Sequence, residues 1–233
     1  MRAFFIHIYF DFWIEVAKLL HRETNVNPVY WVADNKYFPQ IKKEFPGAFV
    51  HDRFSAMRGI GIEKEMNINV EHPDTEAIKV YSEYERIVMQ MMDSFEVVAP
   101  FVYEERLLVY HRMLGYWLSV TNALKPDVVI FPRVPSNIYN YVLYNICKKN
   151  RIKTIMFEDV PFGRVFTTEE IEQGSPITRY YNQNNMDSDN NEKYKLSEEM
   201  NDYLKKLTLS YEEAVPFYLK KYYSDKINKK VTK

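Results

Sequence analysis

The chain has 233 residues with 31 basic and 32 acidic side chains, so a net charge of −1 excludes a global field that draws it to nucleic acid or anionic lipid. Hydrophobic residues make up 46% of it, enough for one sizeable core. The single cysteine, Cys147, excludes an internal disulfide and a cysteine-based metal site, and fits a reducing, cytoplasmic setting.

The first apolar run is too short to cross a bilayer and lacks a small-residue cleavage site, so residues 3–10 read as a buried strand. Residues 12–22 carry apolar side chains at helical spacing. A second strand is expected over 28–33, closed by Asp34, then a short helix over 36–45. A third strand covers 48–51 and runs into His51, Asp52 and Arg53. This β-α-β-α-β order with short connections is the pattern of a parallel, helix-covered sheet.

Residues 54–72 are less regular. Pro73 then opens a helix at a first-turn position and the three-and-four spacing of Ile78, Tyr81, Tyr84, Ile87, Val88, Met91 and Met92 carries it to about residue 95. A second long helix spans 102–124 and stops before Pro126. A strand over 127–132, a helix over 137–150 and a strand over 153–158 follow, the helix serving as the crossover of a parallel pair. After Arg164 the pattern weakens. Residues 181–192 are polar and low in complexity, and helices are expected over 197–207 and 210–223.

The fold class expected is therefore α/β: a Rossmann-like parallel sheet with helices on both faces, a helical insertion over about 73–124, and C-terminal helices. The chain divides into an α/β domain over 1–180, a flexible loop over 181–192 and a helical extension over 193–233. No run of 18 apolar residues occurs, so no integral membrane segment is expected.

Ligands of an open parallel sheet bind beyond the carboxyl ends of its strands, where helix N-termini also point. The expected strand ends here are Asp11, Asp34, His51-Asp52-Arg53, Arg133 and Glu158-Asp159. Asp11 and Asp34 also fit as helix N-caps. Arg133 sits between Pro132 and Pro135, with Ser136 next to the coming helix, a good place for a phosphate or carboxylate. Glu158 and Asp159 meet a Pro-Phe-Gly turn and then Arg164. The substrate-binding candidates are Asp11, Arg133, Ser136, Asn137, Asp159 and Arg164, with Asn137 at the start of a helix whose dipole adds positive potential. The catalytic candidates are His51, Asp52 and Glu158, with His51 the acid–base group. The alternative is an Arg–Glu ion pair that only closes the sheet edge.

Other motifs carry less. There is no GxGxxG, Walker loop, HExxH or GxSxG, and GIGIEKE (59–65) reads as a turn. DSDNNEKYKLSE (187–198) spaces Asp187, Asp189, Asn191 and Glu198 like a calcium loop, but Glu192 stands where the sharp turn needs glycine. Neither a metal nor a cofactor is expected. His7 lies inside a strand and reads as a satisfied core residue, as does His111 inside a helix. Tyr9, Phe10, Tyr30, Trp31, Phe157 and Phe162 lie near strand ends, where aromatic rings stack on sugars or simply fill a sheet core.

The segments ERIVMQMMDSF (85–95), YHRMLGYW (110–117) and KPDVVIFPRVPSNIYNYVLYNICKKNRIKTIMFEDVPFGR (125–164) resemble capsular or surface polysaccharide biosynthesis proteins. The resemblance covers roughly residues 80–165 and runs through a Met-Met-Asp segment, a Tyr-His helix leading to Trp, a Lys-Pro-Asp strand, a Tyr-x-Leu-Tyr helix and an Ile-Lys-Thr strand. It implies a glycosyltransferase-like protein of the GT-B type, with two facing Rossmann-like domains. This chain would match the N-terminal one, which mainly handles the acceptor, while a second Rossmann domain holds the sugar nucleotide. The implied partners are a sugar nucleotide or a glycan acceptor. Ser136 stands where the family pattern has His and Asn140 where it has Asp, which bears on catalysis by this chain. Two other functions stay open: a non-catalytic module that docks a partner through the helices of 73–124, and a stand-alone enzyme using His51, Asp52 and Glu158.

Overall fold

The structure is a computed structural model that describes residues 1–93, 102–160, 164–171 and 196–208. The chain forms two compact units, Met1–Tyr181 and Asn182–Lys233. In the second, the described residues hold one helix, Glu198–Leu207 (α8). The polar segment 181–192, most of the calcium-like segment and the expected helix 210–223 lie outside the described residues.

The first unit is α/β. Five parallel strands, β1 (Arg2–Ile8), β2 (Asn27–Ala33), β3 (Phe49–Asp52), β4 (Val128–Phe131) and β5 (Lys153–Val160), are joined by a sixth, β6 (Arg164–Thr168), antiparallel to β5. The order across the sheet is β3-β2-β1-β4-β5-β6. The expected parallel pairing of β4 with β5 is present, from Val128 opposite Lys153 to Phe131 opposite Met156. β6 was not expected. Its five residues, RVFTT, alternate too briefly to read as a strand and lie on the sheet edge.

The central strands are buried on both faces, which is why they read as continuous apolar runs. Ala3, Phe5, Trp31, Ala33, Val128 and Ile130 pack on one face against Trp13, Ile14 and Ala17 of α1 (Phe12–Thr24) and Ile41 of α2 (Phe38–Glu44). Phe4, Ile6, Tyr30, Val32, Val129 and Phe131 face the other core. That core contains α5 (Thr75–Asp93), α6 (Tyr103–Leu124) and α7 (Ile138–Lys149), preceded in the chain by the short helices α3 (Arg53–Met57) and α4 (Glu63–Met66).

Helix α7 is buried from Tyr139 to Cys147, because α5 and α6 pack on it as well. A helix apolar on every side must be covered on every side. The Tyr and Met stripes of α5 and α6 supply that cover through Tyr81, Val88, Met89, Met92, Tyr110, Met113 and Trp117. Fully burying side chains of this size is worth about 1.5–3 kcal/mol each. α6 ends at Lys125 in the left-handed conformation, ahead of Pro126.

One irregularity positions the site. Between Phe5 and Ile8, β1 advances three residues while β2 advances two, from Trp31 to Ala33. The extra residue is His7, with φ of +69°. This bulge shifts the alternation, so Ile6 and Ile8 face opposite cores and His7 is turned out of the ladder.

Candidate functional site

Strand order changes direction at β1. From it the chain runs outward through β2 and β3, then returns to place β4 on the other side. Between the ends of β1 and β4 the connections diverge to opposite faces and leave a crevice. A cleft of about 250 Å³ lies there, lined by His7 at the bulge in β1, Tyr9 just after β1, Arg53 after β3, and Arg133, Val134, Ser136 and Asn140 around the start of α7.

Helix α7 begins at the cleft. Asn137 is its N-cap, and the Asn137 backbone N–H donates to Asn140 Oδ1 at 2.9 Å, one arm of a capping box. Asn140 is only 3% exposed. With its oxygen engaged at the cap, its amide NH₂ is the part that can serve the cleft. The free N–H groups of the first helical turn add positive potential.

Two guanidinium groups line the same cleft. Arg53 Nε donates to Asp34 Oδ1 at 2.6 Å, which fixes its planar head. Arg133 places its guanidinium carbon 5.8 Å from the centre of the Tyr9 ring.

His7 reports the potential these groups create. Its pKa falls from 6.5 to about 4, first because it is buried and then because Arg53 and Arg133 repel a proton, with Asp34 opposing. The imidazole is therefore neutral at pH 7. Tyr139 is fully buried and its phenol is pushed well above its usual range by burial. His7 Nε2 faces the Asn137 side-chain NH₂ at 3.4 Å and accepts from it, because that nitrogen only donates. Nδ1 then carries the ring proton and donates to the Tyr139 hydroxyl at 2.6 Å. A histidine at positive φ costs about 1–2 kcal/mol over an ordinary strand conformation. The strain sits where the cleft needs the ring.

Compared with protein-family models, curated proteins and solved structures, the chain matches none.

Of the residues expected from sequence, Arg133 and Ser136 line the cleft and Asn137 caps the helix beside it. Asp11 is exposed at the N-cap of α1, where its carbonyl, not its side chain, accepts the Ile14 N–H. Glu158 is exposed on the part of β5 that continues past the end of β4, and does not line the cleft. Asp159 and Arg164 belong to the β5–β6 ladder, and their side chains lie outside the described residues, as does Phe162.

The acid–base role expected of His51 is corrected. His51 is 1% exposed and both ring nitrogens are occupied. Nε2 donates to the Ile60 carbonyl at 2.7 Å, and Nδ1 accepts from the Tyr30 hydroxyl at 2.8 Å. Asp52 is likewise engaged as the N-cap of α3, accepting from the Ser55 N–H at 2.8 Å and its hydroxyl at 3.0 Å. Nor can His51 and Asp52 meet Glu158. β3 and β5 are four strand spacings apart, about 19 Å.

His7 and Arg53 were missed. His7 sits within an apolar run, and no neighbouring glycine or asparagine marks a bulge. Arg53 was legible as part of a charged strand end. Its place in the cleft depends on a strand order that the linear chain does not display. Among the described residues no group of three or more His, Cys, Asp or Glu is placed to hold a metal ion. Among them, too, no helix is long and apolar enough to cross a membrane.

Proposed function

We propose that this α/β unit binds a sugar bearing a negative group, free or as a sugar nucleotide, at the β1/β4 crevice, as a domain of a polysaccharide-synthesising glycosyltransferase. The observation that carries the reading is the cleft itself. Two arginines, a helix N-terminus and a buried asparagine amide converge beside a neutral histidine at the topological switch point. Guanidinium groups hold carboxylates and phosphates in a fixed fork. Ser136, Asn140 and His7 supply hydrogen-bonding groups for hydroxyls. The resemblance over residues 80–165 supplies the class of chemistry, and the lone buried thiol of Cys147 suits the cytoplasm. Because His51, Asp52 and Glu158 share no site, the part we assign to this unit is binding, with transfer completed by a second domain.

A thermal-shift panel of sugar nucleotides and uronic acids tests this. A ligand at a hundred times its dissociation constant stabilises the fold by about 2.7 kcal/mol. Arg133→Ala and Arg53→Ala should each abolish most of that gain. If both variants bind every ligand as the wild type does, with the fold intact, the charges at these strand ends are structural and the reading fails.

A further inference from the structure

We propose that the α/β unit pairs with a second copy of the chain through the sheet face that carries α1, with α1 of each copy lying over β5 and β6 of the other. The proposal is independent of what the cleft binds.

The first argument is topology. β5 and β6 are successive antiparallel strands joined through residues 161–163, so the connection lays no crossover helix on either face of the sheet. Among the described residues of the first unit, the helices on the face in question are α1 and α2. On one side Lys18 of α1 reaches Glu44 of α2 at 3.7 Å. On the other side Trp13 meets Phe157 of β5, with 4.9 Å between ring centres. Past Phe157 the cover stops. Thr167 of β6, directly opposite Phe157, is exposed, and Val165, on the same face, is 56% exposed. The other face of β6 is closed, with Thr168 only 4% exposed. β5 and β6 thus form the floor of a trough beside α1.

The second argument is the ridge along that trough. Phe12, Val16 and Leu19 fall four and three residues apart and make one stripe of α1. The helical period turns this stripe away from Lys18 and α2. Phe12 is 52% exposed and Leu19 46%. Phe10, 48% exposed and 5.8 Å from Phe12 between ring centres, extends the stripe. A helix that covered only its own sheet would carry polar residues at these outer positions.

The third argument is fit, and it selects the occupant. Two strands are about 10 Å across, the width of one helix. The trough therefore takes a single helix, packed as α1 already packs on β1 and β2. A helix from an unrelated partner would fill the trough and leave Phe12 and Leu19 in water. A second copy related by a two-fold axis fills both troughs with both ridges at once, an isologous contact. Charge does not oppose it. The chain carries a net charge of −1, and ridge and trough each carry both signs, Glu15 with Lys18 on α1 and Lys153 with Glu169 beside β6. A 13-residue helix is about 20 Å long, so ridge and trough together offer about 20 by 20 Å per copy, the small end of specific interfaces. The dimer should therefore depend on concentration.

Sedimentation of the whole chain from about 1 to 200 µM, the range in which an interface of this size dissociates, tests the proposal. The mass should rise from 28.0 kDa towards twice that value. The ridge variant Phe12→Glu/Leu19→Glu and the trough variant Val165→Glu/Thr167→Glu should each weaken the dimer about tenfold or more, as loss of central apolar contacts does. Circular dichroism checks the fold, and serine at the same positions replaces any glutamate pair that disturbs it. Leu108→Glu is the control. Leu108 is 62% exposed but belongs to α6, which packs on the opposite face, so its variant should dimerise as the wild type does. A wild type that stays monomeric throughout overturns the proposal. A dimer weakened by only one of the two variants overturns it as well, since α1 would then pair with α1 or β6 with β6. So does a dimer that neither variant weakens, or one that Leu108→Glu weakens equally.

Discussion

The Tyr30 hydroxyl lies 2.8 Å from His51 Nδ1 and is the middle link of a directed hydrogen-bond chain. A carbonyl only accepts, so His51 Nε2 must carry the proton that it gives to Ile60. Nδ1 then accepts from Tyr30, Tyr30 accepts from Tyr116 at 2.7 Å, and Tyr116 accepts from the Ile62 N–H at 3.2 Å. The chain starts and ends on the segment 60–62 and ties it to the sheet through three buried side chains. Tyr30→Phe removes the central donor and acceptor together. It should cost about 1–3 kcal/mol in a urea titration, because His51 and Tyr116 are left short of partners. Ligand binding in the cleft should not change.

The same segment limits Gly61. A methyl group added there would overlap the Tyr116 ring, which the hydrogen-bond chain holds in place. Gly61→Ala should therefore destabilise by about 1–3 kcal/mol, the usual cost of overpacking. Gly47, with open space around an added Cβ, is the control: Gly47→Ala should shift the urea midpoint far less.

The strands were legible because each central one is buried on both faces, and the crossover α7 because it joins two such runs. Arg133 and Ser136 were legible because prolines bracket them after a strand. The remainder of the cleft was not. Its making depends on the order β3-β2-β1-β4 and on a bulge at His7, and both are set by packing of distant segments. His51 misled for the converse reason. A strand-end histidine beside an aspartate looks reactive in one dimension, whereas its partners Tyr30 and Ile60, and Tyr116 behind Tyr30, come from well separated parts of the chain.

The bulge predicts an inverted substitution pair. Within a regular strand, glycine is less stable than alanine by about 0.5–1 kcal/mol. At position 7 the backbone is left-handed, where alanine is strained and glycine is not. His7→Gly should thus be more stable than His7→Ala, although both lose the Tyr139 contact equally. Alanine as the more stable variant would mean that the bulge is not retained.

Stability should fall in mild acid. His7 has a folded pKa of about 4 against 6.5 in the unfolded chain. Between these values the unfolded state binds a proton that the folded state excludes, so stability rises with pH across this window and is level above it. The full gap corresponds to roughly 3 kcal/mol. His51, also lowered by burial, acts in the same direction. Carboxylates contribute at the acid end, so the informative comparison is between wild type and His7→Gln by urea denaturation at pH 7 and pH 4.5. The variant should lose less on acidification.

The potential in the cleft can be read directly from His7. Burial is the largest cause of its lowered pKa, Arg53 the next and Arg133 the smallest, while Asp34 opposes them. Arg53→Ala removes the larger repulsion and leaves the Asp34 carboxylate unpaired, so the His7 pKa should rise in a ¹H–¹⁵N or ¹H–¹³C titration. It should stay below 6.5, because the burial remains. Arg133→Ala should raise it less. A bound phosphate or diphosphate should act in the same sense as Arg53→Ala, since a negative charge beside the imidazole favours its protonated form. Binding should then be accompanied by proton uptake between pH 4 and 6.5, measurable as a dependence of the calorimetric heat on buffer ionisation enthalpy. If the His7 resonance does not respond to Arg53→Ala, the guanidinium does not face the imidazole, and the cleft lacks the positive field on which anion binding depends.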